Sequence, residues 1–138
     1  MFKKIIFGLS LWLFATTLSF GANFDDGVNA IEKGDYKTAL SIFEDLASKG
    51  DAEAQYNLGV MYVKGEGVRQ DYKKAIEWYE KAATKGDASA QYNLGVMYYN
   101  GQVVKQDYKK AKEWFGKACD GGYQKGCDTY KILNQEGY

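Results

Sequence analysis

Residues 54–62 read Ala54-Gln55-Tyr56-Asn57-Leu58-Gly59-Val60-Met61-Tyr62, and the same run returns unchanged at positions 90–98. The run belongs to a longer repeat, because residues 50–85 and 86–121 align without a gap and are identical at 24 of 36 positions. A period of this length is typical of a solenoid, in which neighbouring units bury each other's apolar faces. The sequence therefore predicts a stack of repeated units.

Each repeated unit is predicted to be a pair of helices. In the first unit, one helix spans about residues 52–64, and the second begins at Asp71, a residue type that favours the N-cap position. Apolar residues of the second helix recur at steps of three and four, the spacing of one helical face. They are Tyr72, Ala75, Ile76, Tyr79, Ala82 and Ala83. The glycine-containing segment 65–68 separates the two helices.

The pattern extends beyond the two long repeats. Asp35 stands one period before Asp71, but Gly27 and Asp35 are only 8 residues apart, against 12 between Gly59 and Asp71. The first hairpin therefore lacks a four-residue insertion. We expect an all-α, right-handed solenoid of about seven helices. Its predicted segments are a signal peptide at 1–21, a hairpin at 22–49, repeats at 50–85 and 86–121, and a capping helix with a tail at 122–138.

The first 21 residues have the composition of a secretory signal peptide. Lys3-Lys4 precedes an uncharged, mostly apolar run from Ile5 to Leu18, and Ser19 and Gly21 place small residues two apart. We expect cleavage before Ala22, which would give an exported bacterial protein, periplasmic or secreted, without a stable membrane anchor. An uncleaved anchor is the alternative, although the run is short for a span of roughly 20 residues.

The composition of the chain excludes several kinds of chemistry. The formal net charge is zero, so there is no electrostatic basis for binding nucleic acid. The chain has no His, which removes the commonest general base and the usual zinc ligand. We therefore predict no cofactor and no metal site, and we recognise no catalytic residues.

The motifs of the repeats resemble the Sel-like repeat family, a tetratricopeptide-like family of helical hairpins. The matching segments are Leu58-Gly59-x-x-Tyr62, Gly65-x-Gly67-Val68 and Lys74-Ala75-x-x-Trp78-Tyr79. The first hairpin resembles a tetratricopeptide repeat. The third hairpin departs from the family pattern, because Val103 replaces the second loop glycine. Since a non-glycine residue resists positive φ, we expect this loop to take a different turn.

The two cysteines, Cys119 and Cys127, resemble the repeat-linking disulfide of the Helicobacter cysteine-rich proteins, an exported subgroup of this family. Cys119 ends a predicted second helix, and Cys127 lies near the start of the next first helix. In an oxidising compartment such a pair is expected to form a disulfide, and a short closed loop would stabilise the fold by about 2–3 kcal/mol. Two free thiols are the alternative.

The same subgroup includes proteins described as penicillin-binding proteins and β-lactamases. The resemblance therefore implies β-lactam binding or weak β-lactam hydrolysis as an alternative function, and β-lactamase as the activity if the chain is an enzyme. Serine β-lactamases use a Ser-x-x-Lys motif. None of the serines after the signal segment, Ser41, Ser48 and Ser89, has a lysine three positions later.

A stripe of apolar residues along the first helices predicts a binding groove. Tyr56, Val60 and Val63 follow steps of four and three and so lie on one line of a helix. The corresponding residues of the other hairpins continue this line, and by resemblance to tetratricopeptide stacks they face the concave side. With polar residues at the edge, the predicted groove residues are Phe24, Val28, Ile31, Tyr56, Val60, Val63, Lys64, Tyr92, Val96, Tyr99 and Asn100.

Exposed tyrosine and aliphatic side chains are typical of interaction sites, so the groove predicts a protein or peptide partner. In the alternative interpretation, these residues only pack one first helix against the next. Both interpretations are consistent with the sequence.

Overall fold

A computed structural model describes residues 21–138 of the chain. Those residues form seven α-helices and no strands, which confirms the predicted all-α solenoid of three hairpins and a closing helix. The helices are α1 (Phe24–Glu32), α2 (Tyr36–Ser48), α3 (Ala52–Lys64), α4 (Tyr72–Thr84), α5 (Ala88–Asn100), α6 (Tyr108–Asp120) and α7 (Gln124–Gln135).

The predicted signal peptide, residues 1–21, lies outside the described residues except for Gly21. Within residues 21–138, none of the helices combines the length and the apolar character that crossing a bilayer requires.

Acidic residues determine where most of the helices begin. Asp71 is the N-cap of α4, as predicted, and its carboxylate accepts a hydrogen bond from the backbone N–H of Lys74. The same arrangement recurs at the N-caps of α2, α3, α5 and α6, which are Asp35, Asp51, Asp87 and Asp107. Each cap satisfies an N–H that has no partner within the helix and is worth about 1 kcal/mol.

In each hairpin, an aromatic ring of the second helix lies against a glycine of the first helix. A Cβ atom at Gly59 would lie 2.4 Å from the Tyr79 ring, so only glycine permits this approach. The equivalent pairs are Gly27 with Phe43 and Gly95 with Phe115. We call these three glycines the glycine sockets. The rings that occupy them are almost completely buried, and they hold each hairpin together.

Small residues form much of the remaining core. Ala54, Ala75, Ala82 and Leu58 are all fully buried. The carboxylates of Asp25, Asp26, Glu44, Asp45 and Glu77 lie on exposed helical positions.

The loop of the third hairpin keeps the conformation of its counterpart, so the prediction of a different turn is wrong. Val103 has φ 63°, close to the φ of 72° at Gly67. The same backbone hydrogen bond closes both loops. Asp107 N–H donates to the Tyr98 carbonyl at 2.9 Å, and Asp71 N–H donates to the Tyr62 carbonyl at 2.9 Å. Because the Val103 side chain is 60% exposed, it meets no steric block.

Cys119 and Cys127 form a disulfide that joins the end of α6 to the start of α7. Their Cα atoms are 4.5 Å apart. The expected pairing is therefore confirmed.

Candidate functional site

The predicted groove residues form a partly exposed surface along the first helices. The apolar members are half-buried, apart from Tyr99, which is exposed, as are the edge residues Lys64 and Asn100. Each half-buried residue packs against the core with one side. Tyr56, Val60 and Val63, for example, contact the cluster of buried residues from α4 and α5. The surface therefore contributes to packing between hairpins and also presents apolar area to solvent.

One cleft interrupts this surface between the second and third hairpins. It has a volume of about 200 Å³ and lies between the C-terminal half of α3, the inner face of α4, α5 and the loop that follows α5. Val63 and Val96, both predicted groove residues, line it together. Its lining residues are Val63, Tyr72, Tyr79, Asn93, Val96, Met97 and Gln102.

Asn93 provides a polar group beside two tyrosine hydroxyls. Burial raises the pKa of Tyr79, and the Asn93 side chain, acting as a hydrogen-bond partner, opposes that shift. Burial likewise raises the pKa of Tyr56, with Asn93 again acting in the opposite direction. Both tyrosines are therefore neutral phenols at physiological pH. The wall of the cleft presents neutral hydrogen-bonding groups next to aliphatic ones.

Two other aromatic residues of the predicted groove, Phe24 and Tyr92, lie against neighbouring aromatic rings. The ring of Phe24 is 5.5 Å from that of Phe43, in the core of the first hairpin. Tyr92 lies 5.3 Å from Phe115 and 5.0 Å from Tyr123, measured between ring centroids. These residues extend the surface on both sides of the cleft without lining it.

At the far edge, Tyr99 packs edge-on against Tyr108 with a centroid distance of 5.1 Å. Lys64 lies 3.7 Å from Glu66, and both partners are at least partly exposed. Such an ion pair contributes little to stability, so Lys64 is free to meet a ligand.

Comparison with known proteins assigns the family. The family profile described as Sel1 repeat matches residues 52–87 and 88–123. The chain is a member of the Sel1 repeat family. Among the curated proteins, none matches it.

Two solved structures resemble this Sel1 repeat protein closely. A Sel1 repeat protein from Oxalobacter formigenes shares 30% identity, with a TM-score of 0.79, over 83% of this chain and 47% of that one. A protective antigen of uropathogenic Escherichia coli with an SLR fold shares 32% identity, with a TM-score of 0.77, over 83% of this chain and 25% of that one. The chain thus spans about half and a quarter of the lengths of these two relatives.

The Helicobacter pylori cysteine rich protein B has the same fold. It shares 22% identity, with a TM-score of 0.64, over 79% of this chain and 98% of that one.

Sequence reasoning missed several residues that line the cleft of this Sel1 repeat protein. Asn93 could have been found, because Asn57 and Asn93 recur within an otherwise apolar run of the repeat. The sequence placed Tyr72 and Tyr79 on the apolar face of the second helix, and Tyr79 is buried there. Gln102 belongs to the loop after α5, and no pattern in the sequence relates that loop to the groove.

A larger cleft of about 610 Å³ lies outside the predicted groove. Its lining consists mainly of exposed charged side chains of α4, such as Glu77, Glu80 and Lys81. Among residues 21–138, no group of three or more His, Cys, Asp or Glu side chains is arranged to hold a metal ion.

Proposed function

We propose that this Sel1 repeat protein is an exported module that binds a peptide segment of a partner protein along the first helices of its hairpins. Sel1 repeats generally mediate protein–protein interaction, which supports this assignment. The observation that carries the proposal is the cleft in which Val63 and Val96, from neighbouring first helices, lie beside the amide of Asn93.

The size of the cleft favours a peptide side chain as its occupant. A volume of about 200 Å³ is below the roughly 300–1,000 Å³ of sites that enclose a small molecule. It suits one apolar side chain, while the amides of Asn93 and Gln102 supply the donors and acceptors that an extended peptide backbone needs. The half-exposed rings of Tyr56 and Tyr92 offer contact area on either side.

The β-lactam alternative has no support among the described residues. The hydroxyl of Ser48 donates to the Asp45 carbonyl of its own helix at 2.6 Å, and the chain contains no His. The family resemblance alone suggests this activity, and no residue is assigned to it.

Export is part of the proposal. The basic residues and apolar run at the N-terminus support a cleaved signal peptide, and the Cys119–Cys127 disulfide is compatible with an oxidising compartment. We expect protein isolated from the native envelope to have the mass of a chain that begins at Ala22. A mature protein that retains its first 21 residues would refute cleavage.

The groove is tested by selecting binders from a random-peptide phage library against the oxidised protein. The double variant Val63→Thr/Val96→Thr keeps the side-chain shape and places two hydroxyls in the cleft. We expect the selected peptides to bind this variant at least about tenfold more weakly, because each hydroxyl loses its hydration when a peptide side chain covers it.

The matched control is Val103→Thr, the same substitution at a site that is 60% exposed and outside the cleft. Its affinity for the selected peptides should equal that of the wild type, and thermal melts should show that all variants are folded. Selected peptides that bind the double variant within about twofold of the wild type would exclude the cleft as the binding site.

A further inference from the structure

Three turns connect successive units of the stack: α2 to α3, α4 to α5, and α6 to α7. At each turn, a bond joins a residue near the end of one helix to a residue near the start of the next. We call these turns the junctions. At the α2–α3 junction, the Nε2 of Gln55 donates to the Ala47 carbonyl at 3.2 Å. At the α4–α5 junction, Gln91 donates to the Ala83 carbonyl at 3.1 Å. Both glutamines are buried, and each lies eight residues after its acceptor.

The disulfide occupies this same place at the third junction. Positions 119 and 127 stand one period of 36 residues after Ala83 and Gln91. The S–S bond between Cys119 and Cys127 therefore replaces the hydrogen bond that ties the start of each earlier first helix to the end of the preceding helix.

The third junction has also lost the second polar link of the other two. Asp51 and Asp87 cap α3 and α5, accepting hydrogen bonds from Ala54 N–H at 2.8 Å and Ala90 N–H at 2.7 Å. The equivalent residue before α7 is Tyr123, which makes no side-chain cap hydrogen bond. The disulfide thus takes the place of two side-chain links at this junction, while the backbone hydrogen bonds from Gly122 to Cys119 and from Tyr123 to Ala118 remain.

The position of α7 affects a residue of the proposed groove. Tyr123, the N-cap residue of α7, lies against Tyr92 in a tilted arrangement with a centroid distance of 5.0 Å. Without α7 held in place, one face of the Tyr92 ring would lose its neighbour. Apolar packing of α7, such as the buried Leu133, would remain, so α7 would open and close rather than detach permanently.

We propose that the Cys119–Cys127 pair is a redox-controlled latch that holds α7 on the stack and Tyr123 on Tyr92. Its regulatory effect on binding rests on the function proposed above, whereas the opening of α7 does not. Both cysteine residues are partly exposed, at the surface end of α6 and the start of α7. The sequence has no other cysteine, so the latch responds as a single unit.

The chemistry is thiol–disulfide exchange with a protein dithiol. A thiolate of the dithiol attacks one sulfur, the Cys119–Cys127 bond breaks and a mixed disulfide forms. The second thiol of the dithiol then displaces the remaining cysteine. The pair takes up two electrons and two protons, and the dithiol becomes a disulfide. A protein disulfide reverses the reaction after export.

Hydrogen exchange on the full protein, with and without a phosphine reductant, tests the latch. We expect reduction to speed amide exchange in residues 124–135 on the order of a hundredfold, the factor that loop-closure entropy assigns to a short loop. Exchange in α1 to α5 should change little. A change below about threefold in α7, or equal acceleration across the whole stack, would overturn the proposal.

The matched control is Cys119→Ala/Cys127→Gln, which rebuilds the Ala83–Gln91 pair of the preceding junction. Its exchange should be the same with and without reductant. In a second arm, the phage-selected peptides should bind the reduced wild type more weakly than the oxidised one and bind the control equally in both states. If no peptide binds either state, the proposed function fails while the exchange result still decides whether α7 is latched.

Discussion

The second and third hairpins, residues 50–85 and 86–121, are near copies that differ at a few decisive positions. The socket glycines Gly59 and Gly95 are the same, but the rings that fill them are Tyr79 and Phe115. The same loop position carries a glycine in one copy and Val103 in the other, with similar φ. The comparison separates what the fold requires from what it tolerates.

The fold requires a residue without a side chain at the sockets, because a Cβ at either glycine would lie within 2.6 Å of a ring atom. It tolerates a hydroxyl on the ring, and it tolerates a β-branched residue in a left-handed loop when that residue points into solvent. The following three experiments test these distinctions.

The largest effect is expected at the socket. Phe115→Ala should cost about 3–5 kcal/mol of the free energy of unfolding, the usual range for deleting a buried aromatic ring. Gly95→Ala alone should cost about 1–3 kcal/mol, because the added methyl group meets the ring. In the Phe115→Ala background, Gly95→Ala should instead raise the free energy of unfolding by up to about 1 kcal/mol, because alanine has the higher helix propensity.

Urea denaturation of the four proteins in this cycle measures these values, and Gly59 with Tyr79 provides the parallel cycle in the second hairpin. Equal effects of Gly95→Ala in both backgrounds would show that the ring does not require the glycine.

A pH-dependent difference is expected from the ring hydroxyl. Burial raises the pKa of Tyr79 above the ordinary value of 10.0. The unfolded chain therefore releases this proton first as the pH rises. The contribution of the protonated Tyr79 hydroxyl to stability is complete below pH 10. It is lost progressively as the pH rises from 10 toward the pKa of the folded state, at up to about 1.4 kcal/mol for each pH unit.

Thermal melts between pH 9 and pH 11 should show a shallower alkaline loss for Tyr79→Phe and a steeper one for Phe115→Tyr. Because the natural sequence already places Phe and Tyr in equivalent sockets, both variants should fold at neutral pH. Identical alkaline slopes for all three proteins would contradict the assigned pKa shift.

The smallest effect is expected in the loop. Val103→Gly should stabilise the protein by about 0.5–1 kcal/mol, because it removes a left-handed cost of about 1–2 kcal/mol and adds a smaller entropic one. Gly67→Ala should have the opposite sign, since a Cβ there would lie 2.7 Å from the Tyr36 carbonyl oxygen. A loss of stability in Val103→Gly would mean that the valine side chain contributes contacts.

The sequence predicted the helices well because their starts and faces are encoded locally. Asp71 caps α4, and the predicted apolar positions of α4 are buried except for Tyr72, which is half-buried. The disulfide was also predictable from spacing and family resemblance. The turn at Val103 was predicted wrongly. The prediction considered only that valine disfavours positive φ, and it left out the backbone hydrogen bonds that fix both ends of the loop.

The candidate site was only partly predictable. The line of Val63 and Val96 follows from helical spacing, but the cleft between them depends on how α4 and the loop after α5 pack together. That packing brings in Tyr72 of α4 and Gln102 of the loop after α5, which lie outside the helical line of the groove residues. Contacts between different units of a repeat cannot be derived from the period alone.

The sockets also limit how far the stack can be continued. The residue of α7 equivalent to Gly59 and Gly95, one period after Gly95, is Lys131, which is exposed. A helix placed on α7 as α4 lies on α3 would meet a long charged side chain where its ring should sit. Continuing the stack at α7 in the way that α4 follows α3 would therefore require the Lys131 side chain to move aside, because the space that glycine leaves for a ring in the earlier hairpins is occupied here.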